Sequence, residues 1–256
     1  MKSNKGIFNK NVQNALVMVF SIIFGFLVWG LVINRFVDDL YWPTIPSLFG
    51  ALVQMKVTIA LSIGSSIYRT IAGYSLGCIL GIVIAYLMSW NRWFNAFITP
   101  YIEIIRPIPA LALIPFFILW FGIGDLGKIL MIAMGAFVIM VITVLEGIFQ
   151  LDQIYIKAAT ILGASKWKIY KTIVFPGSLP AIMSGLRINA AFSFGMMIAA
   201  EFLGAKTGLG LIIIIARRTM STNVMLLSVI IIGILAFLFD RLVLSIGRYV
   251  TRWMPT

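Results

Sequence analysis

Residues 15–33, "ALVMVFSIIFGFLVWGLVI", contain no charge, and similar apolar runs recur almost to the C-terminus. The hydrocarbon core of a bilayer takes about 20 apolar residues in helical form. The chain is therefore expected to be an all-α integral membrane protein, a single transmembrane domain over 1–256. Spans are predicted at about 15–33, 68–90, 93–124, 128–148, 181–204 and 223–246, six transmembrane helices in all. Charged residues make up 11% of the chain, against roughly 25% in a soluble domain, so lipid rather than water solvates most of it.

Lys2, Lys5 and Lys10 precede the first run, as in a signal peptide. The run is too long for one and ends in "NRFVDDLYWP" without a small-residue cleavage site, so it reads as a retained anchor. Pro43 and Pro46 mark a loop, and the half-polar stretch after them, up to about residue 68, reads as an interfacial helix. The 93–124 span is too long for one straight helix and holds Pro100, Pro107, Pro109 and Pro115, so a kink is expected.

Lysine and arginine outnumber acids by 20 to 8. In a soluble protein that excess would point to nucleic acid; in a membrane protein it decorates cytoplasmic loops, and no nucleic-acid partner is expected. With the N-terminus inside, the inner segments hold Lys2, Lys5, Lys10, Arg92, Lys157, Lys166, Lys168, Lys171, Arg248 and Arg252. The outer ones hold Arg35, Lys56, Lys128, Lys206, Arg217 and Arg218, which places both termini in the cytoplasm. Cys78 is alone in an apolar run and there is no histidine, so disulfides, imidazole metal sites and imidazole general-base catalysis are excluded. No catalytic cluster and no metal site are expected.

The sequence "GIGDLGKI" (122–129) satisfies G-x-G-x-x-G and nearly satisfies a Walker pattern. No strand precedes it, and Ile129 stands where Ser or Thr would hold magnesium, so it reads as a glycine-rich turn. ATP hydrolysis must then come from another chain. Gly73, Gly77 and Gly81 recur every four residues, a spacing that lets helices touch backbone to backbone, within the subunit or between two copies.

Ionisable residues within spans need a partner or a watery cavity. Glu103 and Arg106 are spaced to pair with each other or, with Pro107 and Pro109, to line or gate a passage. Glu201 precedes a glycine-rich loop, which it would brace, or from which it would meet a docked receptor; it also counts, with the residues above, among the candidates for the translocation path or its gate. Asp240 and Arg241 read as a structural pair, and Arg187 poses the same question. Asn189 and Ser193 form a polar stripe that suits a hydrated path or a bond to a neighbouring helix.

The polar interlude "YIKAATILGASKWKIYKTIVFPGSLP" (155–180) carries Lys157, Lys166, Lys168 and Lys171. Ile154, Ala158, Ile161 and Leu162 share one face of a first short helix. Gly163 suits its C-terminal cap and Ser165 the N-cap of a second helix, in which Ile169, Tyr170, Ile173 and Val174 form an apolar stripe. Pro176 and Pro180 are expected to stop that helix before the fifth span. Such an elbow either lies on anionic headgroups of membrane lipid or serves as a cytosolic docking knob.

"KAATILGAS" through "FPGSLP", "IRPIPALALIPFFILWFGIGD" (105–125) and "GLRINAAFSFGMMIAAEFLGAKTGLG" (185–210) together resemble permease subunits of binding-protein-dependent ABC importers. The resemblance covers roughly 65–250 and lies nearest the nitrate, sulfonate and taurine branch, aliphatic sulfonate permeases above all. It implies the type I importer permease fold, with a coupling-helix loop at 152–178. The ATPase-coupling residues it implies are Lys157, Ala158, Ala159, Gly163, Ala164, Ser165, Lys166 and Pro176. Lys157 stands where the family carries an acid, so a salt bridge from that acid does not carry over.

The implied partners are cytosolic ABC ATPase subunits that bind the ATP and Mg, an extracytoplasmic solute-binding protein, and a second permease copy in a homodimer. No cofactor is expected on this chain. The implied setting is a bacterial plasma (inner) membrane, and the implied cargo is a sulfonate, taurine or nitrate-like anion, a heterocyclic vitamin precursor being the alternative. An ion-coupled secondary carrier would show paired half-chains and midplane carboxylates, and the chain has no clear internal repeat.

Overall fold

Proline and glycine decide where the helices of this chain begin, bend and touch. In the computed structural model the described residues are 41–202 and 204–252, with scattered positions between 17 and 30. The span expected at 15–33 lies largely outside them. All regular structure among the described residues is helical.

After Pro43, α1 runs Ile45–Gln54, with Pro46 in its first turn, where the missing N–H costs nothing. Helix α2 is Lys56–Trp90, 35 residues without a break. The stretch expected to form an interfacial helix before residue 68 is divided: α1 takes its first part, and from Lys56 on it is continuous with α2. Ser62, Ser66 and Arg69, which make that stretch look half-polar, are all buried inside the protein.

The third segment breaks. Helices α3 (Arg92–Ile105) and α4 (Ile114–Phe121) are joined through a 3₁₀ turn at Ala110–Leu113 and meet at 89°. Pro107 and Pro109 remove two backbone donors just past the end of α3, where Arg106 is still helical at φ −50°, ψ −50°, so the helix cannot continue its hydrogen bonding through them. Pro100 sits inside α3 without breaking it.

Helix α5 (Asp125–Phe149) is followed by α6 (Gln153–Ile161) and α7 (Lys166–Ile169). A π-helical turn at Tyr170–Val174 leads directly into α8 (Phe175–Phe202). Pro176 and Pro180 therefore do not stop this helix, contrary to the sequence expectation. The widened turn bonds Phe175 N–H back to the Tyr170 carbonyl, which makes room just ahead of Pro176. Two more helices, α9 (Leu209–Arg218) and α10 (Thr222–Val250), complete the described chain.

Among the described residues, four helical stretches are long and apolar enough to cross a membrane: Lys56–Trp90, Asp125–Phe149, Lys166–Phe202 and Thr222–Val250. The bent α3–α4 pair makes a fifth if it counts as one span.

The chain divides into two compact units, one holding α1 and the α9–α10 junction, the other Val57–Ile214 with the rest of α10. Within the larger unit α5 is central. Half of its apolar window is buried, against 17% for α10, whose Leu238 and Leu242 stay exposed as lipid-facing residues do. A Cβ added to Gly73 or Gly81 of α2 would stand 2.6 Å from the Cβ of Ile132 or Met140 on α5, and one on Gly77 would strike the Ala133 carbonyl. The glycine ladder thus packs α2 against α5 of the same chain. Tyr74, Cys78, Ala136, Met140, Val144 and Ile182 fill the seam, and the Tyr74 hydroxyl donates to the Leu186 carbonyl at 3.1 Å.

Candidate functional site

Three places in the larger unit hold the residues that chemistry would use: the elbow after α5, the opposite end of the bundle, and the middle of α8.

At the elbow, Asp152 caps α6 by accepting from Ile154 N–H at 2.9 Å. Gly163 closes it with φ +77°, and Ala164 N–H reaches back to the Ala159 carbonyl at 3.0 Å. That six-to-one closure needs a left-handed residue, which glycine adopts freely. Ser165 Oγ then accepts from Lys168 N–H at 3.4 Å and starts α7.

The far half of the elbow is tied to the end of α2. Lys166 Nζ donates to the Trp90 carbonyl and lies 4.7 Å over the Trp90 ring. Tyr170 packs edge-on to Trp90 at 4.6 Å and donates to Ser89 Oγ at 3.3 Å. The stripe expected on the second helix is seated inward, with Ile169 and Val174 buried and Tyr170 and Ile173 packed against the same core.

The near half is open. Ile156, Ala159 and Ala164 pack inward, while the face predicted to be apolar looks outward, Ile161 and Leu162 each 86% exposed. Lys157, Ala158, Gly163 and Ser165 are exposed beside them. A cleft of about 410 Å³ opens between α6 and the bundle, lined among others by Ser89, Ile148, Gln153, Thr160, Lys166 and Tyr170. Pro176 is partly buried in the first turn of α8, outside this surface.

At the other end a buried arginine gathers four segments. The Arg69 side chain, 3% exposed, donates through Nε to Asp125 at 2.7 Å and through Nη1 to Glu201 at 2.6 Å. Nη1 also reaches the Thr207 carbonyl at 2.6 Å, and Nη2 reaches Thr207 Oγ1 at 3.2 Å. Glu201 further accepts from Ser66 Oγ at 2.9 Å and from Gly210 N–H at 2.9 Å. Gly208, at φ +137°, leaves the space the carboxylate fills; any Cβ there would overlap it.

Of the two roles considered for Glu201, bracing the loop is the one this geometry has. Nothing in hydropathy announces Arg69; the available signal is that past Lys56 at its start it is the one charged residue of a 35-residue helix. The glycine-rich turn is explained here too. Lys128 folds back onto the Ile123 and Gly124 carbonyls while Asp125 goes to Arg69, so the lysine and the acid serve the turn itself.

Between the ends, Asn189 and Ser193 are fully buried on α8. Asn189 Nδ2 meets Met140 Sδ at 3.8 Å, and neither Asn189 Oδ1 nor Ser193 Oγ has a hydrogen-bond partner. In this conformation neither faces an open path. Glu103, Arg106, Pro107 and Pro109 are exposed at the α3–α4 break. The expected Glu103–Arg106 pair does not form, although Arg106 keeps helical geometry at the end of α3; both side chains are exposed. Nor do Asp240 and Arg241 pair. Asp240 accepts from Arg187 Nε at 2.8 Å, and Arg241 lies 4.8 Å over the Phe237 ring. Among the described residues no group of three or more His, Cys, Asp or Glu could hold a metal ion.

A broken third segment, an exposed elbow and long apolar helices define a multi-pass membrane transport subunit. Residues 77–254 match the family described as "Binding-protein-dependent transport system inner membrane component", and the chain belongs to it. It is thus the permease subunit of an ATP-driven importer, whose ATP hydrolysis is done by a separate subunit. It is 32% identical over 199 residues to the taurine transport system permease protein TauC of Escherichia coli K12, covering 78% of this chain and 72% of that one. It is 33% identical over 191 residues to the bicarbonate transport system permease protein CmpB of Synechococcus elongatus, covering 74% and 69%. The fold is similar to a chain of the inward-facing MetNI methionine ABC transporter, with a TM-score of 0.67 at 21% identity over 77% of this chain and 98% of that one.

Proposed function

We propose that two copies of this permease form a path for a small oxyanion, a sulfonate, taurine or an inorganic anion of the nitrate and bicarbonate kind. An extracytoplasmic binding protein delivers the anion, and two cytosolic ATPases drive the cycle. The α6 elbow seats in the ATPase, so that ATP-driven approach of the ATPases draws the two elbows together and switches the path between its two openings. Both termini lie in the cytoplasm. The binding-protein-dependent family supports the receptor. The relatives named for taurine and bicarbonate transport support the cargo class.

The observation that carries the reading is the bare apolar crest of α6. Ile161 and Leu162 expose nearly their whole side chains on a capped, rigid turn. A face like that in water needs a cover. The usual acid of the coupling motif is Lys157 here, so the partner's groove is expected to offer an acidic rather than a basic group at that point.

Co-purification tests it. The chain expressed with its cognate ATPase is expected to pull that subunit down. Gly163→Arg, which meets open space but strains the left-handed cap and fills the docking face, is expected to abolish association while the permease still inserts and folds; Leu162→Asp, which leaves the cap intact, is expected to do the same. Undiminished association of these variants would remove the elbow from the coupling role.

A further inference from the structure

Arg187 sits inside a membrane-spanning helix and is not covered. Along α8 it lies nine residues from Ser178, which bonds Tyr86 near one end, and fourteen from Glu201 at the other. At the rise of an α-helix these are roughly 14 and 21 Å, so the guanidinium stands near the middle of the helix Phe175–Phe202, inside the span expected from the sequence. Yet 51% of its side chain is exposed, against 24% for its partner Asp240. A charged head left open at that depth faces water or protein, because lipid rejects it.

The surroundings favour water. Ser184, Ile188, Ala191 and Gly195 lie on the same open face of α8, and only one of them is bulky. The exposed stripe of α10 is bulkier, with Phe237, Leu238 and Leu242, and carries Arg241 stacked on Phe237. The local charge is also unbalanced. Arg187 and Arg241 stand against the single carboxylate of Asp240.

The geometry leaves one edge of the guanidinium free. Nε donates to Asp240 Oδ1 at 2.8 Å and Nη2 reaches Oδ2 at 3.4 Å, so the carboxylate occupies one side of the plane and fixes its orientation. The remaining N–H groups, on Nη1 and the outer side of Nη2, point two parallel donors at whatever passes. That fork fits two oxygens of one anion.

We propose that Arg187, oriented by Asp240, forms an oxyanion subsite midway along the translocation path, with Ser184 at its edge. It rests on the permease reading above and deepens it by giving the path one group that recognises the cargo. Binding there is weak by construction, since the anion only completes a neutralisation that Asp240 has half made. A transit site must release what it holds.

The test reads water and charge at the site, independently of transport. In a Cys78→Ser background, with the complex and its ATPase in nanodiscs, Ser184→Cys is reacted with 2-sulfonatoethyl methanethiosulfonate and with its trimethylammonium counterpart. The sulfonate reagent is expected to react faster, and Arg187→Gln to lower the anion-to-cation rate ratio by about tenfold. Methanesulfonate, taurine or bicarbonate is expected to slow labelling only when Arg187 is present.

Receptor-stimulated ATP hydrolysis is expected to persist in Arg187→Gln while uptake of labelled taurine or methanesulfonate falls, with Arg187→Lys between. A Ser184→Cys that neither reagent reaches, or a rate ratio indifferent to Arg187, overturns the subsite and leaves the permease reading standing. Replacing the pair by Arg187→Met with Asp240→Leu separates a purely structural ion pair: retained uptake overturns the proposal, and lost uptake with intact ATP hydrolysis supports it. Failure of the wild-type chain to bind any ATPase is a different result, which falls on the permease reading.

Discussion

The two ends of the larger unit solve opposite problems. At the Arg69 end a buried guanidinium holds the start of α5, the end of α8 and the loop after it, while Glu201 and Ser66 hold the start of α9. At the elbow end the polar groups serve only to cap two short helices, and the apolar residues are the ones on show. One end is closed on itself and the other is unfinished. The contrast implies that substitutions at the first act on the protein's own stability, and those at the second on its dealings with another chain.

The sharpest break in that contrast comes from Arg69→Met. It leaves the Glu201 carboxylate buried without its cation, a loss of about 3–5 kcal/mol for a severed buried pair. The expected outcome is a large fall in thermal stability in detergent, with poor assembly. Next comes Gly77→Leu at the α2–α5 seam, where the new side chain collides with backbone; overpacking of this kind costs about 1–3 kcal/mol. Asp125→Asn is expected to do much less, under about 1 kcal/mol, because Asp125 is 53% exposed and its pairing with Arg69 is screened. Leu162→Asp sits at the bottom of the stability order, with no measurable change in unfolding temperature and loss of ATPase co-purification. A Leu162→Asp protein that unfolds early would show the elbow to be part of the core and erase the difference between the ends.

Legibility in the sequence follows the same division. The elbow is local. Gly163 and Ser165 cap helices two residues either side of themselves, so the turn could be read from "ILGAS". The membrane helices are readable because apolar length needs no partner. The Arg69 cluster joins residues 56, 132 and 138 positions apart, and no periodicity reports that. The same blindness misplaced the start of α2: buried serines and an arginine look like an interface until their distant partners are known.

Asp240 was given to its chain neighbour Arg241 for want of any sign of Arg187, 53 residues away. Pro176 and Pro180 misled for a different reason. The rule that proline ends a helix holds for a regular turn, and Tyr170–Val174 is not regular.

From Lys166 to Phe202 the chain is one helical body of 37 residues, carrying the Trp90 anchor at one extremity and the Glu201 clamp at the other. At 1.5 Å per residue that is a lever roughly 55 Å long. A tilt of about 5° about either anchor would sweep the opposite extremity through about 5 Å. The five-residue wide turn beside the elbow and Pro180 just after it interrupt the regular bonding of this body, and both therefore bear on how much of any push is spent in bending before the rest is delivered across the membrane.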